Sequence, residues 1–132
     1  MSWHKQPEGV LWKGPIEVGV ARIGQITLYV NAVEERNWVF KLALQGEEVY
    51  HWHVRAFANH SNPPLGTRPD GFPREVRDDH EHVWIEGLDC ACALPIDLSD
   101  RQTYEHVFAA FCEKTNTRFD TPFAPPPIQL AL

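Results

Sequence analysis

From Pro15 the first half of the chain takes on the pattern of extended strands half-buried in a sheet. Ile16, Val18 and Val20 alternate, 26–33 is rich in β-branched residues, and 38–44 and 49–57 read as further strands. A turn at Gly24, the polar run Glu34–Asn37 and the Gln45–Gly46–Glu47 turn separate these segments. Connections so short make successive strands antiparallel neighbours, so a meander is predicted. His80–Glu86 and Cys90–Leu94, divided by Gly87–Leu88–Asp89, add two more strands. The segment 1–14 breaks the alternation and is predicted to be an irregular N-terminal arm, with Trp3, Val10, Leu11 and Trp12 against the body.

Between the two halves, residues 58–79 form a long loop in which Pro63, Pro64, Pro69, Pro73, Gly66 and Gly71 forbid most regular structure. A loop this long in a compact domain is expected to be either functional or disordered. One helix follows. Ser99 is predicted as its N-cap, with Gln102 completing a capping box. Tyr104, Val107, Phe108, Phe111 and Cys112 recur at the spacing of one buried stripe, and the helix should stop near Asn116. The tail 121–132, with Pro125–Pro126–Pro127, is predicted to be extended. The fold class is therefore α+β: an antiparallel meander sheet of about six strands, with one C-terminal amphipathic helix on one face. Residues 1–132 read as a single domain.

Composition narrows the function. With 18 acidic and 12 basic residues the formal net charge is −6. A surface that grips long duplex nucleic acid by neutralising phosphates is normally basic, so that class loses weight. The three cysteines, Cys90, Cys92 and Cys112, fit neither a disulfide framework nor a zinc ribbon. Cys90 and Cys92 read as small apolar strand residues in a reducing compartment. With no apolar leader and no stretch of spanning length, a cytoplasmic location and no membrane contact are expected.

The polar centre lies between positions 51 and 82, which hold five of the seven histidines. Alternation puts Tyr50, Trp52, Val54 and Ala56 on one face of their strand and His51, His53 and Arg55 on the other. In the later strand His80, His82, Trp84 and Glu86 share a face. Adjacent strands would bring four imidazoles and Arg55 together, under a loop carrying His60, Arg68, Arg74 and Arg77. Two chemistries suit such a surface. In metal-free phosphodiester cleavage one imidazole takes a proton, another gives one, and arginine stabilises the phosphorane. In metal binding, two His-x-His pairs supply up to four nitrogens. The expectation leans to no cofactor and no tightly bound metal, because Asp79 and Glu81 should point to the opposite face.

Three segments carry a family resemblance: "DDHEHVWIEGLDCACALPID" from Asp78, "EHVFAAFCEKTN" from Glu105 and "PPPIQ" from Pro125. Together with "HVRAFANHSNPP" and "GTRPDGFP" they resemble an uncharacterised family of small bacterial and prophage-associated proteins. They are more loosely similar to TumE-type toxins of toxin–antitoxin systems. The resemblance spans about residues 46–128 and implies roles for Arg55, His60, His80 and His82; His51 and His53 do not clearly belong to its pattern.

The leading expectation is a toxin-like or mobile-element protein acting as a metal-independent ribonuclease. Its catalytic set is His80, His82, Arg55, His51 and His53, and its substrate-binding set is His60, Arg68, Arg74, Arg77 and Trp84. Its partners would be RNA, or a protein such as an antitoxin or a host or phage factor. The alternatives are a non-catalytic acidic protein that binds and regulates or inhibits a protein partner, and a metal-dependent hydrolase.

Overall fold

A computed structural model describes residues 1–31, 37–55, 59–101 and 103–127. Among these, nine strands and one helix follow in the order β1 (His4–Gln6), β2 (Gly9–Val18), β3 (Ala21–Asn31), β4 (Trp38–Leu44), β5 (Glu47–Val54), β6 (His60–Ser61), β7 (Glu75–Val76), β8 (His80–Ile85), β9 (Asp89–Pro95) and α1 (Tyr104–Lys114). Seven strands form one antiparallel sheet in the order β1-β2-β3-β4-β5-β8-β9. The predicted meander is present. It is interrupted only by the excursion from β5 to β8, within which β6 and β7 pair as a small separate ribbon.

The segment expected to be an irregular arm is instead the edge of the sheet. A turn at Pro7–Glu8 folds β1 onto β2, and β2 then pairs with β3 along its whole length. Gly24 is not a turn either: the chain reverses at Gly19–Val20, and Gly24 lies inside β3. Its role there is close approach, because a Cβ at this position would sit 2.1 Å from the Ala43 carbonyl oxygen of β4. The predicted Gln45–Gly46 turn is found, with positive φ at both residues (52° and 80°), as a two-residue hairpin of this hand requires. The predicted turn at 34–37 falls, apart from Asn37, outside the described residues, as do Ala56, Gln102 and the end of the tail.

The core forms on one face. Val10, Ile26, Leu28, Val30, Trp38, Phe40, Trp52 and Val54 meet Tyr104, Val107, Phe108 and Phe111 of the helix. Phe40 and Phe111 are fully buried, their rings 5.5 Å apart. Burying two such side chains stabilises the fold by about 1.5–3 kcal/mol each. The helix begins later than predicted. Its N-cap is Thr103, whose Oγ1 accepts from the His106 amide at 3.1 Å. Ser99 belongs to a preceding turn, where its own amide donates to Asp97 Oδ1. Two donor-to-carbonyl bonds close the C-terminus, Asn116 N to Glu113 O and Thr117 N to Cys112 O, with Asn116 left-handed at φ 52°. No helix among the described residues is long and apolar enough to cross a membrane.

A candidate metal centre on the open face of the sheet

The face away from the helix holds the histidines. β5 and β8 pair so that His51 stands opposite His82 and His53 opposite His80. The His51 and His82 rings stack with centroids 4.0 Å apart, and His53 and His80 lie 5.3 Å apart. The adjacency expected from matched alternation is therefore realised. A fifth imidazole joins from the loop: His60 in β6 sits 4.4 Å from His82 and 5.9 Å from His80. The loop is held there by Asn62, which is 7% exposed. Its Nδ2 donates to the carbonyls of Ala93 (2.9 Å) and Pro73 (2.7 Å), and its Oδ1 accepts from the Ala93 amide at 2.7 Å. Under this cover His51, His80 and His82 are only 8, 3 and 6% exposed.

Three of these rings have their proton position fixed by their partner. His82 Nδ1 lies 2.8 Å from the Cys90 carbonyl, His80 Nδ1 2.8 Å from the Asp78 carbonyl, and His60 Nε2 2.8 Å from the Ala91 carbonyl. A carbonyl can only accept, so each of those nitrogens carries the hydrogen. In the neutral ring the other nitrogen is then a bare lone pair. Neutrality is enforced by burial first and by mutual repulsion second. His51 and His53 are pushed down to about 3 and His82 to about 4, and His80 is lowered too, its Asp78 hydrogen bond opposing the shift. One ring nitrogen from each of His51, His53 and His82 lies within 4.8 Å of the other two. Three converging neutral donors, with neighbouring rings oriented by backbone carbonyls, are the parts from which zinc-class sites are made.

Two further residues stand beside His51: Glu48 and Cys90 offer ligand-type atoms within 4.8 Å of its ring nitrogen and of each other. Simple alternation hides both. In β5, Leu42 faces Tyr50 but Ala43 faces Glu48, so Val49 is an extra residue. This bulge turns Glu48 from the Tyr50 side to the His51 side. In β9, Val83 faces Cys92 but Ile85 faces Asp89, so β9 carries one residue too many between them. Cys92 is fully buried on the helix side, whereas Cys90 reaches the histidine face. Cys90 lies in a strand as expected, half-buried on the histidine face. Its thiol is pushed up to about 11, mainly by burial and then by Glu48.

The arginines are disposed differently from expectation. Arg55 takes a left-handed conformation (φ 54°), which ends the alternation of β5. Its amide donates to Asp79 Oδ1 at 2.7 Å, and its guanidinium lies 4.2 Å over Trp38, a residue of the core face. Arg55 therefore does not extend the row of His51 and His53. Arg68 donates to the Pro63 carbonyl, Arg77 pairs with Glu75, and Arg74 receives the Asn62 amide on its carbonyl. Trp84 is 43% exposed and donates to Glu47. Glu81 faces the helix side as alternation requires, accepting from the Tyr50 hydroxyl, which in turn accepts from Trp52 Nε1 at 2.6 Å.

In comparisons with known proteins the chain matches no family model, no curated protein and no solved structure.

Proposed function

We propose that this protein binds a borderline divalent transition-metal ion, with Zn²⁺ as the reference case, through His51, His53 and His82. The observation that carries the reading is the convergence of three neutral ring nitrogens within 4.8 Å. Imidazole suits zinc, copper, nickel and iron, and needs no carboxylate to do so. Asp79 and Glu81, the carboxylates beside His80, are not part of this ligand set. His60 and His80, each with its outer nitrogen bonded to a carbonyl, stand close enough to complete or orient the shell. Burial beneath the loop favours a closed site that holds its ion over an open one that offers it to a large substrate.

Protein stripped of metal and titrated with Zn²⁺ should take up the ion near stoichiometrically and melt at a higher temperature, because an ion that binds only the folded state stabilises it. His82→Ala should abolish the shift, while His106→Ala, on the exposed side of the helix, should leave it intact. Absence of uptake and of any thermal shift with zinc, copper and nickel would defeat the proposal.

The metal-independent ribonuclease is the second reading, and the partial exposure of His53 and His60 favours it. It demands a protonated imidazole near neutral pH, which the lowered values of His51, His53 and His82 oppose. RNA cleavage that persists in EDTA and disappears in His80→Ala, with slowed bacterial growth on expression, would decide in its favour.

A further inference from the structure

The Glu48–His51–Cys90 group is a second cluster of metal-ligating atoms, and the three-histidine site leaves Glu48 and Cys90 unused. His51 is 8% exposed, and its Nδ1 is buried. That nitrogen lies in contact with Glu48 Oε1, while Glu48 Oε2 is turned to Lys41 at 3.6 Å. The Cys90 sulfur is placed alongside, 3.5 Å from the Glu48 carbonyl. Glu48, His51 and Cys90 thus offer a carboxylate oxygen, a ring nitrogen and a sulfur, all within 4.8 Å of one another. Two independent bulges, one in β5 and one in β9, are what turn Glu48 and Cys90 to this spot. Bulges concentrate where a side chain must be re-aimed.

We propose that Glu48, Cys90 and His51 Nδ1 form a second metal position next to the three-histidine site, with His51 bridging two ions. This rests on the reading of the histidine cluster as a metal centre. A ring common to both groups can serve both ions only by offering one nitrogen to each. The carboxylate, imidazolate and thiolate donors suit Zn²⁺ and Co²⁺. When the second ion binds, the Cys90 S–H and the remaining His51 N–H bonds break and two protons go to solvent. The two electron pairs left behind form the new bonds from sulfur and nitrogen to the metal. No oxidant or reductant takes part.

The test loads the full chain with Co²⁺ and, separately, Zn²⁺, and reads metal per chain together with the near-ultraviolet thiolate-to-cobalt absorption. Wild type should hold two ions and show the thiolate band. Cys90→Ala should hold one ion and lose the band, and Glu48→Gln should weaken the second ion without removing the first. Circular dichroism checks that both variants fold. A wild type that binds one ion with no thiolate band, unchanged by Cys90→Ala, would overturn the second position and leave the three-histidine reading standing. A wild type that binds neither ion would overturn both.

Discussion

Acidifying the metal-free protein from pH 7 to pH 5 should remove a large part of its stability. In the unfolded chain each histidine takes up its proton near pH 6.5. In the folded protein His51 and His53 wait until about pH 3 and His82 until about pH 4. Folded values below the unfolded one mean that the stabilisation is whole above pH 6.5 and is lost as the pH falls towards 4 and 3. Between pH 6.5 and 5 the unfolded state holds the extra proton over about 1.5 units, which at 1.36 kcal/mol per unit is about 2 kcal/mol for one sealed histidine. Solvent reaching the half-buried His53 reduces its share to about 1 kcal/mol. The three together should cost about 3–5 kcal/mol, against a typical total stability of about 5–15 kcal/mol. Urea denaturation in EDTA, followed by tryptophan fluorescence at pH 7, 6 and 5, measures this directly. The loss should shrink in His53→Gln, which has one fewer group to protonate. An unchanged free energy between pH 7 and 5, with losses only below pH 4, would refute the view that these imidazoles are held neutral by burial.

Asn62→Ala should destabilise the protein by about 2–4 kcal/mol, because it strips partners from both the amide and carbonyl of Ala93 and from the Pro73 carbonyl; an effect below about 0.5 kcal/mol in chemical denaturation would show that the loop is not held there. Thr103→Ala should cost about 1 kcal/mol and Ser99→Ala clearly less, since Thr103 caps the helix; the reverse order in thermal melts would restore the earlier helix start. Gly24→Ala should cost about 1–3 kcal/mol, because the added methyl meets the Ala43 carbonyl and β3 must move away from β4. A melting temperature equal to wild type would mean that the two strands are not so close.

Most of the sheet could be read from the chain because alternation and tight turns are local signals. Tyr50–Trp52–Val54 against His51–His53 assigns both faces of β5, and the same rule in β8 assigns His80 and His82. What alternation cannot register is its own interruption. Val49 in β5 and the extra residue in β9 each shift the pattern by one, and this brings Glu48 and Cys90 beside His51, where no periodic signal placed them. Arg55 misleads for a related reason: a single left-handed residue removes it from the row. Gly24 misleads because glycine signals both a turn and a close approach, and only the neighbouring strand distinguishes them. His60 was placed correctly over the sheet by its loop. Asn62, which ties that loop to β9, carries no periodic signal at all.

Asn62 has a consequence for how the molecule meets its neighbours. β9 is the last strand of the sheet, and a last strand with bare amides and carbonyls is a template on which another chain can grow. Here one carboxamide imitates a passing peptide, satisfying Ala93 from both sides, while His60 occupies the Ala91 carbonyl. The loop that roofs the histidines is thus also the guard of the sheet's border. Loss of the Asn62 carboxamide would leave the Ala93 amide and carbonyl bare, and the border would then be open to a strand of another chain.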